Sequence, residues 1–549
     1  MKFKVLNIVM LAAIVILAFF LRFYRVTEVP PSLNWDEVSI GYNAYSILKT
    51  GRDEWGQKFP LHFRSYGEYK LPAQIYASIP GIAIFGLNEL GVRITPVLYG
   101  TLTVLVLYFL AKELTKNKWI GLLSAFLLAI SPWHIQLTRA SFETSFSVLW
   151  VLLGIWLFIK GFKNSKWWIA ATIPFAISIY TYNSARIITP LLVLTLLIIY
   201  RKDIWREKKN AIISAIVFVL LLLPLAPFVL KGGLSARYRL VSITDDKGLI
   251  PRIEDRRNHS TLPEPVKRLI HNRYTYIGFY FVRNYVAHFS PSFLFIKGAG
   301  HIQHSVQGIG EMYAIQAPFV LLGLYLFIKK KYPFRGLVFS WLLLTFVPVA
   351  LTMDSIPNAL RTVISAPLYQ IFTAIGFWAG LSMLKSKFLK GSLIALSLIF
   401  LGWGFTIFLR QLFVVYPVKY SREWQYGYKQ IVNYMVSVQD NYDLVVFTRF
   451  YGEPSMFTLF FSKYDPLKYQ NNPNLVRYEL NDWVWVTNFD KYYFPNMADE
   501  GTYFPQLVKR FKGKKVLFIG RPQDFPEGTK IIYSVDFKNG EPDFLVTEI

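Results

Sequence analysis

The sequence predicts a polytopic α-helical membrane protein of about eleven transmembrane helices, N-terminus inside, with an extracytoplasmic α/β domain at its C-terminal end. Three observations predict it. Hydrophobic residues make up 53% of the 549 and charged ones only 17%, too apolar a balance for an ordinary soluble chain. Apolar runs near the roughly 20 residues needed to cross a bilayer recur along most of the chain. Short basic clusters separate them at alternate connections, as the positive-inside rule requires of cytoplasmic loops. The net charge of +26 is therefore topological, and nucleic acid is not an expected partner. The absence of cysteine excludes disulfides, thiolate catalysis and cysteine metal sites.

Taken in order, the first element is "MKFKVLNIVMLAAIVILAFFLRFYRV", a basic start and a long apolar run without a small-residue cleavage site. It reads as an uncleaved signal anchor. Expected spans follow near 5–21, 92–112, 118–131, 144–160, 167–181, 185–200, 211–230, 312–328, 336–352, 359–383 and 391–410. With Met1 inside, "KELTKNK", "KGFKNSK", "RKDIWREKK", "KKKYPFR" and "KSKFLK" all fall on the cytoplasmic side. The run 71–86 is short and carries two prolines, Pro72 and Pro80. Counting it as a span would invert every later loop, so it reads as a helix at or partway into the outer interface. The division is thus a membrane module over 1–410, with outer loops 22–91 and 231–311, and an outer domain over 411–549. In the latter "REWQYGYKQIVNYM" has helical periodicity, while "DLVVFT", "KVLFIG", "KIIYSVDF" and "PDFLVTEI" read as strands.

Chemistry-bearing residues collect at the outer ends of the spans. The first outer loop holds "NWDEVSIGYNAYSIL", with adjacent Asp36 and Glu37, and later "GEYKLP", with Glu68 and Lys70. A carboxylate at the membrane surface can take a proton from an acceptor hydroxyl, and a nearby cation such as Lys70 or Arg139 can hold a leaving phosphate. The plainer reading is that Asp36 caps a helix beginning near Val38, with Glu37 in its first turn. In "SPWHIQLTRASFETSF" Arg139 and Glu143 are four apart, the spacing of a helical ion pair. "YTYNSARIITPL" brings Tyr182 and Arg186 to the membrane edge, and "DSIPNALRTVISAP" does the same with Arg361. Five of the seven histidines lie in 231–311, and His301 and His304 are three apart. A divalent metal is conceivable there, although no third ligand stands at a diagnostic spacing. The tract "NDWVWVTNFDKYYFPNM" fits either a domain core or a surface on which sugars stack.

Together these motifs resemble the protein O-mannosyltransferase-like members of the GT-C glycosyltransferases, over about residues 5 to 410. The resemblance rests on "NWDE", "GEYKLP" before a Pro-bearing segment, "SPWHIQLTRASFE", "YNSARIITPL", "PNALRTVISAP" and "HFSPSFLFIKGAGHIQHS". It implies a GT-C fold in the cell membrane, an extracytoplasmic catalytic face, and a polyprenyl-phosphate-linked sugar, mannose or another hexose, as donor. The acceptor would be a protein or glycolipid hydroxyl. It further implies Asp36 as catalytic carboxylate with Glu37 supporting it. Lys70, Arg139, Arg186 and Arg361 would serve the donor phosphate, and Glu68, Glu143, Tyr182 and His304 would support the site. Arg22 and Arg25 would join a cationic collar for the anionic lipid. Two other readings stand beside this one: an aminoarabinose-type lipid glycosyltransferase of the same fold, and a flippase of polyprenyl-linked intermediates. A flippase would line its bundle with ionisable groups through the membrane depth, whereas here they gather at one rim.

Overall fold

The computed structural model describes every residue except 1, 231–237, 239, 240, 331, 481 and 482. The first residues of the expected outer loop 231–311, Lys331 of "KKKYPFR", and the "ND" opening the aromatic tract thus lie outside the described residues. The chain divides into two compact units: 1–24, 96–138 and 142–409 form one, and 25–95, 139–141 and 410–549 the other.

The first unit is helical. It begins with α1 (Lys2–Phe23); α4 (Glu89–Thr115) enters it, and α5 (Lys118–Ala129), α6 (Pro132–Leu137) and α7 (Glu143–Gly161) follow. Among the described residues, six helices are long and apolar enough to cross a membrane. The other five expected spans also fall on apolar helices, but shorter ones, Lys118–Ala129, Lys166–Ile179, Ala185–Ile199, Ala314–Lys329 and Arg335–Ala350. Pro174 and Pro190 sit inside two of them, each removing a ladder hydrogen bond. The expected long loop carries helical segments at Leu249–His259, Glu264–Ile270 and Arg273–Ala287.

The second unit joins the first expected loop to the C-terminal region. Its helix α2 (Trp35–Thr50) starts at an Asn34 N-cap whose side chain accepts from the Glu37 amide, while Glu37 reaches back to the Asn34 amide. This reciprocal pair satisfies two otherwise orphaned donors. Asp36 is therefore not the cap; it sits in the first turn. Gly51 ends α2 in the left-handed region at φ 68°, where glycine costs least. Strands β1 (Phe63–Ser65) and β2 (Glu68–Lys70) form a hairpin. Helix α3 (Pro72–Phe85) follows, fourteen residues with Pro80 inside, shorter than a full crossing.

The C-terminal region carries a seven-stranded sheet in the order β4-β5-β6-β3-β7-β9-β8, from β3 (Leu444–Phe447), β4 (Val476–Leu480), β5 (Trp483–Phe489), β6 (Tyr492–Tyr493), β7 (Val516–Gly520), β8 (Tyr533–Asp536) and β9 (Pro542–Glu548). Central β3 is parallel to β6 and β7. Every residue of β7 is buried, as are the last three of β3, which is why these strands read as unbroken apolar runs. Edge strand β4 is mostly exposed.

One core runs through α2, the helix Pro454–Phe461 and the sheet, with Val38, Tyr42, Phe457, Phe460, Phe447 and Phe544 all buried in it. Gly41 permits that packing: a Cβ there would lie 2.5 Å from Phe460 Cε2 and 2.7 Å from Val92 Cγ2. The Tyr42 hydroxyl donates to the Tyr464 carbonyl at 3.1 Å. The segment expected to be a loop of the membrane module thus folds with residues 410–549.

A buried carboxyl in β9 makes this unit pH-sensitive. Asp543 accepts from the Gly427 amide at 3.1 Å, and burial lifts its pKa from the usual 3.8 to about 7. A carboxyl raised on folding stabilises most below its unfolded pKa, and that contribution fades as pH rises through the folded value. Asp543→Asn should therefore flatten the fall in Tm between about pH 4 and 7. Thermal melts of both proteins across that range check it; parallel pH profiles would contradict it.

Candidate functional site

The two carboxylates of "NWDE" occupy contrasting environments although they are adjacent. Glu37 is fully buried. Its Oε1 accepts from Arg93 Nε at 2.9 Å and from the Ser141 amide at 3.0 Å, and its Oε2 from Arg93 Nη2 at 2.8 Å. Arg93 is equally buried. Beyond the carboxylate it donates from Nη1 to the Val26 and Pro30 carbonyls at 2.9 and 2.8 Å, and from Nη2 to the Ser32 carbonyl. All five N–H donors of the guanidinium are thereby used. This pair pins the 26–34 segment, the start of α2 and the 139–141 turn around one charge pair. Gln74 on α3 adds a bond to the Ser141 hydroxyl at 2.7 Å.

Asp36 points elsewhere. Its Oδ1 accepts from Lys70 Nζ at 2.5 Å, and the carboxylate side chain is 38% exposed while the lysine is 3% exposed. Asp36 is thus the reachable member of a pair whose cation is fixed from behind by β2. Arg139 is fully buried. It donates to the Val29 carbonyl from Nη2 at 2.7 Å and from Nε at 3.2 Å, and its guanidinium lies 4.9 Å from the Phe413 ring centroid. Asp36, Glu37, Lys70 and Arg139 accordingly belong to one unit and one connected scaffold. Glu68 opens β2 opposite Ser65, half-buried.

The helix expected to carry both Arg139 and Glu143 is interrupted between them. Helix α6 ends at Leu137 and α7 starts at Glu143, so the two residues flank a turn and share no helix face. Glu143 and Arg186 lie instead in the helical unit and interact electrostatically there. Arg186 Nη1 contacts Asn183 Oδ1 at 3.4 Å, and the Tyr182 carbonyl accepts from the Arg186 amide at 3.3 Å. Arg361, also in this unit, donates from its two Nη groups to both oxygens of Asp354 at 2.8 Å, and from Nη1 to the Thr352 hydroxyl at 2.8 Å. The arginine is 7% exposed and Asp354 49%. His288 braces this corner. Its Nε2 accepts from the Asn358 amide at 2.9 Å and its Nδ1 donates to the Asn284 carbonyl at 2.7 Å. Burial pushes its pKa down to about 4, so the ring is neutral, as those two bonds require.

One expectation changes. Arg22 does not face lipid headgroups as part of a collar. It is fully buried, with Nη2 2.7 Å from His134 Nδ1 and Nη1 donating to the Ala18 and Ala129 carbonyls at 2.8 and 3.1 Å; a guanidinium inside a helical bundle satisfies itself on backbone oxygens. His301 and His304 stack face to face, ring centroids 3.7 Å apart and planes 12° from parallel. Nitrogen lone pairs lie in the ring planes, so parallel stacking runs them side by side instead of converging them on one ion. Among the described residues no three His, Cys, Asp or Glu side chains gather as a metal site.

Sequence reasoning missed Arg93 and the Tyr66–Trp483 aromatic pair. Arg93 left one signal, a lone arginine just inside an otherwise apolar run. Trp483 stands in the aromatic tract noted in the sequence, but its pairing with Tyr66, 417 positions away, left no signal.

Comparison with known proteins gives the following. Residues 74–228 match the family model described as dolichyl-phosphate-mannose-protein mannosyltransferase. An uncharacterized protein of Aquifex aeolicus (strain VF5) is 33% identical over 114 residues, spanning 20% of this chain and 22% of that protein. Among solved structures, ArnT from Cupriavidus metallidurans in the apo state has a TM-score of 0.55 at 12% identity, covering 98% of this chain and 97% of that one. The archaeal oligosaccharyltransferase AglB from Archaeoglobus fulgidus, in complex with an inhibitory peptide and a dolichol-phosphate, has a TM-score of 0.54 at 13% identity, covering 94% and 69%. A structure of the A. fulgidus oligosaccharyltransferase tethered to an acceptor peptide is covered over 59% of its length.

Proposed function

We propose that this chain, which shares the GT-C fold of those structures, is a membrane glycosyltransferase. It moves a sugar, mannose or another hexose, from a polyprenyl-phosphate donor to an acceptor hydroxyl on the extracytoplasmic face of the cell membrane. The observation that carries this reading is Asp36, a half-exposed carboxylate fixed by buried Lys70 on a scaffold clamped by Glu37 and Arg93. Support for the donor class comes from the mannosyltransferase family model over 74–228 and from neighbours solved with dolichol-phosphate and undecaprenyl phosphate. The basic loops between spans support the topology, Met1 inside and residues 410–549 outside.

In this mechanism Asp36 accepts the acceptor's proton as its oxygen attacks the anomeric carbon from the face opposite the phosphate. The C–O bond to phosphate breaks, polyprenyl phosphate leaves, and configuration inverts. Lys70 sets the orientation of Asp36. Glu37 holds the helix start and does not touch substrate. The product made from a β-linked polyprenyl-phospho-mannose should be an α-mannoside, read by NMR; a β-mannoside would contradict the single displacement.

Arg361 supplies phosphate affinity in this reading, with Asp354 occupying the guanidinium until the lipid phosphate displaces it. Hydrogen bonds to charged groups contribute about 1.5–3 kcal/mol. Arg361→Gln should therefore weaken undecaprenyl-phosphate binding by roughly 10- to 100-fold, and Asp354→Asn should tighten it. Calorimetric titration checks both; unchanged affinity in Arg361→Gln would remove this residue from the donor site. A second reading, an aminoarabinose-type lipid glycosyltransferase, is favoured by the nearly full-length match to ArnT; it shares these steps and differs in sugar and acceptor.

A further inference from the structure

The aromatic tract around Trp483, which the proposed mechanism leaves unused, meets the Asp36 segment directly within one compact unit. Trp35, the residue before Asp36, lies with its ring centroid 6.0 Å from Tyr66 and 6.5 Å from Trp483; Tyr66 and Trp483 stack at 6.1 Å with planes 21° apart. All three rings are half-buried, so each keeps some accessible surface. The arrangement is held from several sides. The Tyr66 hydroxyl donates to the Trp35 carbonyl at 2.8 Å, the Val484 amide donates to the Tyr66 carbonyl at 3.0 Å, and the Trp35 amide donates to Gln425 Oε1 at 2.9 Å.

Tyr66 adopts φ 52°, an uncommon backbone conformation for an aromatic residue and one that needs support from its surroundings. Lys70 Nζ, the partner of Asp36, lies 5.9 Å from the Tyr66 ring centroid. On the other side of the cluster, the Trp483 indole N–H donates to Glu453 Oε1 at 3.0 Å, and Glu453 is buried.

We infer that Trp35, Tyr66 and Trp483, with Glu453, form a pyranose-binding subsite beside Asp36, so that a strand of the C-terminal sheet contributes to sugar recognition. A pyranose has an apolar C–H face and a polar hydroxyl rim. A ligand site for such a ring needs aromatic surface plus a few fixed polar groups, and this cluster offers three rings and a carboxyl. Burial above all, with the Trp483 N–H opposing it and the Glu54 charge adding to it, lifts Glu453 to about pKa 7. Near neutral pH it is present both as donor and as acceptor toward a sugar hydroxyl. The subsite rests on the proposed transferase reading for its position next to a reacting carbon. Its pyranose could come from the lipid-linked donor or from a glycan acceptor, and the two sources are separable.

The test uses the full chain in detergent, as wild type, Trp483→Ala, Trp483→Phe and Glu453→Gln, each checked for an intact thermal transition. Affinity is measured for undecaprenyl phosphate and for undecaprenyl-phospho-mannose. If the donor sugar fills the subsite, Trp483→Ala loses about tenfold or more of the preference for the sugar-bearing lipid. Bare-lipid binding stays unchanged, Trp483→Phe restores part of the preference, and Glu453→Gln loses part of it. If an acceptor sugar fills it, lipid affinities are unchanged, while the KM for a methyl-pyranoside acceptor rises in Trp483→Ala with kcat preserved. Folded variants identical to wild type in all these readings overturn the subsite. Should the wild type bind neither lipid, the transferase reading fails on its own. Tryptophan fluorescence titrated with methyl mannoside then decides the subsite: saturable quenching lost in Trp483→Ala upholds it, and no quenching overturns it.

Discussion

Arg93→Met should leave the chain unable to hold its second unit together. Glu37 would be left buried without its bidentate partner, and three backbone carbonyls would lose their donor. Removing one member of a buried ion pair costs about 3–5 kcal/mol, a large part of the roughly 5–15 kcal/mol that separates folded from unfolded states. The expected result is loss of the cooperative thermal transition or of monodisperse protein in detergent. Removing the second charge as well should recover part of the loss, because Glu37→Gln together with Arg93→Met strands no buried charge. A double variant no better than the single one would show that the guanidinium acts mainly through the carbonyls of Val26, Pro30 and Ser32.

Asp36→Asn should behave in the opposite way: near-normal folding and a large loss of turnover. The side chain is 38% exposed and an isosteric amide still accepts from Lys70, so losing its charge costs less than stranding the fully buried Glu37. An amide cannot take a proton from an acceptor hydroxyl. General-base contributions of about 10²–10⁴-fold set the scale of the expected fall in kcat, with polyprenyl-phosphate affinity retained. The contrast between adjacent residues is itself a check. Glu37→Gln should cost stability, with any loss of turnover following unfolding, whereas Asp36→Asn should cost turnover alone.

The sequence made the helical membrane class and the individual charges Asp36, Glu37, Lys70 and Arg139 legible for different reasons, but not that Lys70 pairs with Asp36. Spans are visible because bilayer thickness imposes length and apolarity locally, and all eleven expected runs fall on helices. The strands β3, β7, β8 and β9 are visible because burial on one or both faces writes itself into short apolar runs. What escaped was pairing across distance. No local pattern says that 25–95 shares a core with 410–549, since the contacts of Gly41 with Phe460 or Tyr42 with Tyr464 join segments about four hundred residues apart in the chain. The cap of α2 was misplaced by two residues because Asn, Asp and Glu stand together in "NWDE" and each is a plausible terminus signal. Only the backbone shows that Asn34 takes that role. Arg139 and Glu143 have the spacing of an ion pair, but spacing carries that meaning only on a continuous helix, and the chain turns between them.

The central claim is that Asp36 takes the acceptor's proton while sugar leaves a polyprenyl phosphate. The most direct measurement is release of free polyprenyl phosphate by the purified chain supplied with polyprenyl-phospho-mannose and, separately, with a nucleotide-linked mannose, for wild type and Asp36→Asn. The prediction is release from the lipid donor, none from consumption of the nucleotide sugar, and at least about a hundredfold slower release in the variant. Unimpaired release by Asp36→Asn, or turnover of the nucleotide sugar instead of the lipid, would contradict it.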